Sequence, residues 1–217
     1  MENIQVRPET NNRATTGRKL MVSTTSLIKE NVSKKAASLQ KRIENQDSSA
    51  KSELAQLRQS LNLEVGENPV SYGFVFDSVD PRLIGKTEEP TNAEKSMFYA
   101  LCLFALHMQG NSKAHVKGTS IAGAVAQIAA HDGQTLAEHP IRRKFSTLIS
   151  ASTVEDIVSI SRGIIQQARS KNIGIDYGKF AADVFCLASN SYRNTVLLQW
   201  SRDTSRNITE EPTSNPQ

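Results

Sequence analysis

The sharpest concentration of charge in this 217-residue sequence is a run of three adjacent cations, Arg142, Arg143 and Lys144. The run interrupts an apolar pattern that includes Ile141 and Phe145, so at about 100° per residue Arg143 points away from the core. Three cations on one exposed turn repel each other unless a polyanion or an acidic partner lies nearby. The turn therefore predicts either a phosphate contact or an ordinary solvated face, and the sequence leaves both open.

A second group of cations lies on the first long helical pattern. Lys34 and Lys41 are seven residues apart, which places both on the side opposite the apolar stripe, and Lys35 and Arg42 lie beside them. A basic helical stripe of this kind fits a nucleic-acid backbone, but an ordinary solvated face is the simpler interpretation.

Two further places offer cations. The segment NSKAHVKG contributes Lys113 and Lys117 between Gly110 and Gly118, and this basic connection fits either a strand-wrapping segment or a plain loop. Arg58 lies at the edge of a leucine stripe, where its aliphatic stem can cover the core while its guanidinium reaches outward.

Exposed aromatic rings, which act as stacking platforms for single strands, are not evident. The large aromatic residues fall on apolar stripes and are predicted to lie in the core, so contacts to phosphate are favoured over contacts to bases. They are Tyr99, Phe104, Phe145, Phe180 and Phe185.

Catalytic and cofactor motifs are missing from the sequence. The four histidines, at 107, 115, 131 and 139, have no spacing typical of a zinc site, and there is no phosphate-binding or dinucleotide glycine pattern and no nucleophile elbow. Glu155 and Asp156 begin a helix, where negative charge favours the dipole. We therefore expect no enzymatic activity, no metal and no cofactor.

Composition places the chain among compact proteins that stay out of membranes. The longest apolar run, residues 97–106, has ten residues, against the ~20 that a spanning helix needs. The N-terminus lacks the apolar segment of a secretory signal, and both cysteines, Cys102 and Cys186, lie in apolar runs, so we expect a cytoplasmic protein without disulfides.

The formal net charge of +4 is unevenly distributed. Lys and Arg outnumber Asp and Glu by nine to four in residues 18–61 and by thirteen to eight in residues 93–206, whereas residues 62–92 hold two against six. The predicted helices are therefore basic, and a basic surface releases counterions when it binds a polyanion.

Helical periodicity dominates the sequence and predicts an all-α fold of about eight helices in two packed lobes, without significant sheet. Helix starts are indicated by Thr91 with Glu94, by Ser152 with Glu155, and by an Asp176 cap. A short strand within residues 70–79 stays open as an alternative. The predicted organisation is a disordered tail at 1–23, an N-terminal lobe at 24–110 with a long loop at 62–92, a C-terminal lobe at 111–205, and a second disordered tail at 206–217.

Five stretches between about residues 51 and 203 carry a family resemblance. They are AQLR ending at Arg58 with EVGENP after it, FYALCLFALHMQG at 98–110, RKF at 143–145, SRGII at 161–165, and the Asp176 cap followed by Tyr177, Phe180, Ala181 and Val184 and, after them, LQWSRD. Taken in this order, they resemble the CasB family, small subunits of the type I-E CRISPR surveillance complex called Cascade. One departure is Gly123, which stands where many relatives carry an arginine, so that contact is lost or moved to Lys117.

The resemblance implies a non-catalytic, two-lobed helical subunit that assembles as two copies inside Cascade, beside the guide RNA and the larger subunits. It nominates Arg143, Lys144 and Arg162 for contact with the displaced DNA strand or the guide–target duplex. With the charge pattern added, the predicted nucleic-acid-binding residues are Arg58, Arg142, Arg143, Lys144 and Arg162, and also Lys34, Lys41, Lys113 and Lys117.

A rival hypothesis is a helical adaptor whose basic face binds an acidic protein partner. A third, a metal-dependent nuclease, requires an acidic cluster that the sequence does not show.

Overall fold

The computed structural model describes residues 10–110, 113–190 and 192–206, with the backbone alone for residues 10–22. Within these ranges the protein is all-α, as predicted, and the one β contact is an isolated parallel bridge between His115 and Ile175. Two short 3₁₀ helices, Ser60–Asn62 and Pro81–Leu83, join the longer elements. The α-helices are α1 (Thr10–Glu44), α2 (Ser48–Gln59), α3 (Pro69–Phe76), α4 (Asn92–His107), α5 (Ile121–His131), α6 (Ile141–Ser150), α7 (Val154–Ser170), α8 (Tyr177–Ala188) and α9 (Arg193–Arg206).

The segment 62–92 is more regular than predicted, because it contains α3, and the suggestion of a strand at 70–79 is wrong. Asn68 caps α3 by accepting hydrogen bonds from the backbone N–H groups of Val70 and Ser71, and Pro69 occupies the first helical turn. A side-chain cap followed by proline favours a helix start, and here it outweighs the β-branched and aromatic composition that is typical of strands.

The core is built around α4, in which every residue from Ser96 to His107 is buried. Helices α2, α7 and α8 pack on it, and α1 packs along α8. One continuous apolar cluster therefore includes helices from both sides of residue 110. The division into two lobes and the two tails stay predictions; α1 begins at Thr10, and residues 1–9 and 207–217 lie outside the described part of the chain.

Helix caps agree with the sequence at two of three positions. Thr91 and Glu94 form the predicted capping box, and Asp176 caps α8 by accepting the backbone N–H of Lys179 at 2.9 Å. The predicted Ser152 cap is wrong, because Thr153 has the extended backbone of a cap and accepts the N–H of Asp156 at 3.1 Å. Glu155 is thereby left to pair with Lys95 on α4.

Helices α1 and α8 touch through their backbones at Gly178. A Cβ atom at this position would overlap the side chain of Ser33 and the carbonyl oxygen of Lys29, both on α1. Only glycine permits this approach, which brings the basic face of α1 next to the first turn of α8.

Candidate nucleic-acid interface

Helix α6 carries the three adjacent cations on its solvent side, as predicted. It buries Ile141 and Leu148, while Arg142, Arg143 and Lys144 are exposed; we call these three residues the α6 basic turn. Arg142 donates to the carbonyl oxygen of Ala137 at 3.4 Å. No carboxylate within the described ranges forms an ion pair with any of the three.

Both ends of α6 are fixed by side chains from elsewhere in the chain. At the start, His139 Nδ1 accepts the N–H of Ile141 at 3.1 Å while His139 Nε2 lies 3.0 Å from an Asp132 oxygen. At the end, Arg193 donates to the carbonyl oxygens of Ile149 at 2.5 Å and Ala151 at 2.8 Å. The α6 basic turn is therefore presented by a firmly held helix.

Asp132 is the anchor behind the start of α6. Asp132 accepts a hydrogen bond from Lys171 and another from His139. These bonds, that from Lys171 having the larger effect, hold the pKa of the Asp132 carboxyl well below its usual range. The carboxylate therefore stays charged and keeps α5, α6 and α7 tied together.

Lys144 reaches across α7 at Gly163, the residue after Arg162. A Cβ atom at position 163 would lie 3.1 Å from Lys144 Nζ. The RKF and SRGII stretches are therefore close in space. Their cations Lys144 and Arg162 nevertheless have different surroundings.

Arg162 lies in a cleft with three carboxylates. Its Nη1 donates to Asn62 Oδ1 at 2.9 Å, and Glu64, Glu67 and Glu155 line the same cleft. These charges repel phosphate, so the surroundings of Arg162 do not favour the predicted nucleic-acid contact.

Arg58 closes the end of the central helix. Its Nη1 donates to the carbonyl oxygen of Ala105 at 3.4 Å, and Arg169 from α7 donates to that of Leu106 at 3.4 Å. Cations at a helix C-terminus satisfy unpaired carbonyl groups and the dipole. The local structure thus explains Arg58 as a cap of α4, and its contact with nucleic acid stays a prediction.

Three of the five α1 cations whose side chains the structure describes have partners within the protein. Lys34 pairs with Glu30 at 2.7 Å, and Arg42 pairs with Asp47 at 2.7 Å and with Glu53 at 2.8 Å. Lys41 is exposed and has no ion pair among the described residues. Only part of the predicted basic stripe is therefore available to a partner.

Lys35, the remaining cation of that group, belongs to the fold. Its Nζ donates to the carbonyl oxygens of Phe74 at 2.9 Å and Asp77 at 3.0 Å, at the end of α3, and lies 5.3 Å from the centre of the Phe74 ring. Burial lowers the pKa of the Lys35 ammonium.

Tertiary packing creates a second basic surface. Lys29 and Lys34 from α1, Lys117 from the connecting loop and Lys179 from α8 line a cleft of about 860 Å³, which we call the lysine groove. Lys113 is exposed on the same loop.

The lysine groove also contains two carboxylates. Asp176 is already engaged as the α8 cap and accepts the N–H of Gly118 at 3.0 Å, while Glu30 pairs with Lys34. Within the described residues, Lys29 and Lys117 have no ion pair, which leaves the groove with net positive charge.

Sequence reasoning missed Lys29 and Lys179. Each stands alone in the sequence, and Lys179 pairs with Asp183 at 2.8 Å. The two lysines are near each other because α1 contacts α8 at Gly178. No short-range sequence pattern predicts that contact.

The nine predicted cations therefore do not form one surface. Three make up the α6 basic turn, Lys34 and Lys117 share the lysine groove, and Arg58 and Arg162 contact the protein itself. Their role in nucleic-acid binding stays a prediction.

Within the described ranges, no group of three His, Cys, Asp or Glu side chains has the arrangement of a metal site. His107 is fully buried, and its Nδ1 atom lies 2.9 Å from the Tyr177 hydroxyl. Burial lowers the pKa of the His107 imidazole to about 4.

Within the described ranges, no helix is both long and apolar enough to cross a bilayer.

Two comparisons with known proteins give matches. The model of a family described as CRISPR-associated protein Cse2 matches residues 53–203. The crystal structure of CasB from Thermobifida fusca superposes with a TM-score of 0.67 at 22% sequence identity, covering 82% of this chain and 97% of that one; at this identity the likeness shows the fold alone. No curated protein sequence matches.

Proposed function

This chain belongs to the CRISPR-associated Cse2 family, and on that premise we propose that it is a non-catalytic small subunit of a Cascade-type surveillance complex that holds nucleic-acid backbone. The observation that carries the proposal is the α6 basic turn, three exposed cations without a carboxylate partner in the described structure. Such a turn is electrostatically unfavourable alone and favourable against phosphates.

The proposed role follows from how guided recognition works. Base pairing between guide and target reads the sequence, and exchanging a DNA duplex for a guide–target duplex is nearly balanced in free energy. Contacts to the backbone of the displaced strand or the new duplex therefore tip the exchange toward the open state. The partners are guide RNA, target DNA, the larger subunits and a second copy of this chain.

Arg143 and Lys144 are the proposed main phosphate contacts, with Arg142 beside them. Because α6 is held at both ends, these side chains are presented with less loss of backbone freedom on binding. The lysine groove, Lys41, Lys113 and Arg58 are proposed as weaker contacts. Arg162 is left out because the carboxylates of its cleft repel phosphate.

The test is a salt titration of single-stranded DNA binding by the Arg143→Ala/Lys144→Ala variant. Affinity for a single strand falls with salt with a slope of ~0.7 for each phosphate contact, so the variant should lose about that much slope for each contact removed. Sequence preference should stay unchanged.

The control is Lys86→Ala/Arg202→Ala, which removes one lysine and one arginine from exposed positions outside both basic surfaces. Equal slopes for the two variants would refute the α6 basic turn as a phosphate contact. An absence of salt-sensitive binding in the unmodified chain would favour the adaptor hypothesis instead.

The assembly is tested by affinity purification of the chain from its host. Guide RNA and larger subunits are expected to accompany it. Recovery of the chain alone would contradict the proposed function.

A further inference from the structure

The cleft that contains Arg162 differs in charge from the basic surfaces. It measures about 500 Å³ and lies between the 3₁₀ helix after α2, the middle of α4 at Tyr99 and the first half of α7. Its walls include Leu61, Leu63, Tyr99 and Val158, and its charged rim includes Glu64, Glu67 and Glu155; we call it the acidic cleft.

Two of the three carboxylates of the acidic cleft have no ion pair in the described structure. In the described structure Glu64 has no ion pair, and Glu67 accepts only the backbone N–H of Glu64, at 3.0 Å. Glu155 forms an ion pair with Lys95, whose Nζ lies 2.8 Å from the Glu155 Oε1 atom. Arg162 donates to Asn62, and no ion pair joins it to any of the three carboxylates in the described structure.

The negative charges of the acidic cleft also affect Tyr99 in its wall. Tyr99 donates its hydroxyl to the carbonyl oxygen of Leu63 at 3.0 Å, and its pKa is raised to about 12, first by burial and then by the charge of nearby groups that include Glu155, Glu64 and Glu67. The carboxylates therefore act together on the interior of the cleft.

We propose that the acidic cleft is a docking site for a basic side chain, arginine or lysine, on a protein partner of this chain. Its apolar wall suits the aliphatic stem of such a side chain, and its rim suits the cationic head. This inference rests on the proposed function, because it requires that the chain be a subunit of an assembly.

Other occupants fit less well. A nucleic-acid strand carries phosphates, which three carboxylates repel. The carboxylates do not converge as metal ligands within the described ranges. A protein side chain that is long, partly apolar and positively charged matches both the wall and the rim, and arginine is enriched among the residues that dominate protein interfaces.

Charge reversal in the complex tests the inference. Glu64→Lys/Glu67→Lys places two cations against the basic side chain, and like charges across an interface are strongly unfavourable. The amount of this chain recovered with the affinity-purified complex should fall at least fivefold. Glu64→Gln/Glu67→Gln, which keeps the shape, should give a smaller loss.

The matched control is Glu88→Lys/Glu89→Lys, which changes the charge equally at two exposed positions outside the cleft. Equal recovery for both charge-reversed variants, with equal melting temperatures, would refute the docking site. Salt-dependent binding of single strands by the isolated chain should persist in the cleft variant, so a failure here is distinguishable from failure of the α6 basic turn.

A second measurement identifies the occupant. The photo-reactive residue benzoylphenylalanine, placed at exposed Ser159 in the cleft lining, should cross-link in the assembled complex to a peptide that contains arginine or lysine. A cross-link to nucleic acid, or no cross-link in an intact complex, would overturn the inference. If no other subunit accompanies the unmodified chain, the proposed function and this inference both fail.

Discussion

Lys35 and Arg143 are both cations on basic helical faces, yet their surroundings assign them to different tasks. Lys35 donates to two backbone carbonyl groups at the end of α3, so its charge is used by the fold. Arg143 is exposed and has no ion pair in the described structure. Hydrogen-bond partners, more than the charge itself, therefore separate structural cations from those available to a polyanion.

Buried His107 predicts a pH dependence of stability. Its folded-state pKa of about 4 lies below the ordinary 6.5, so between these values the unfolded chain binds a proton that the folded chain does not. Stability that is present above pH 6.5 is lost as the pH falls toward 4. From these two pKa values, the contribution of His107 to the free energy of unfolding should fall by about 2 kcal/mol from pH 7 to pH 5.

Urea unfolding at the two pH values, with His107→Gln for comparison, measures this contribution. In the His107→Gln variant, the free energy of unfolding should lose the part of its pH dependence that comes from His107. Replacement of exposed His131 by glutamine should leave most of the pH dependence in place. Identical pH profiles for the unmodified protein and the His107→Gln variant would contradict the assignment.

At the scale of elements, the contact of α1 with α8 decides the shape of the lysine groove. The two backbones approach at Gly178, and the Asp176 cap fixes both the first turn of α8 and the N–H of Gly118. The groove is thus a consequence of how two helices pack and not of either helix alone.

Gly178→Ala should destabilise the protein. The added methyl group would overlap Ser33 and the Lys29 carbonyl group, and overpacking of this kind costs about 1 to 3 kcal/mol. Gly73→Ala in α3 is the control, because a Cβ atom there meets nothing within 4 Å and alanine favours a helix by up to ~1 kcal/mol. Chemical denaturation of both variants measures the difference, and equal stability would refute the close contact.

At the scale of the whole molecule, charge is sorted by location. The α6 basic turn and the lysine groove are cationic, and the acidic cleft is anionic. A mild net charge of +4 conceals this separation. A protein with surfaces of both signs is suited to hold a nucleic-acid backbone and a basic protein partner at the same time.

If one strand contacts both cationic surfaces, their contributions to the salt slope add. Lys29→Ala/Lys117→Ala should lower the slope of single-strand binding, and a variant that also lacks Arg143 and Lys144 should show the sum of the two losses. Lys51→Ala/Lys86→Ala, at two exposed positions outside both surfaces, is the control. A slope that equals the control's would remove the lysine groove from the proposed interface.

Local features were predictable from the sequence. The apolar period gave the all-α class, the buried central helix and the outward direction of Arg143, and the caps at Thr91 and Asp176 were identified. These features depend on residues within about one helical turn of each other, so their physics is contained in short stretches. Helix α3 was missed because its cap and proline compete with a strand-like composition.

The partners of each charge were decided by the tertiary structure alone. Lys35 contacts the end of α3 some 39 residues away, Arg162 contacts Asn62 across 100 residues, and Lys29 lines the same groove as Lys117 although the two are far apart in the sequence. Electrostatic energy depends on distance in space and on burial, and neither quantity is fixed by spacing along the chain. The sequence therefore determined which residues are charged and which lie on apolar stripes, and the packing of the helices determined which of those charges remain available for binding.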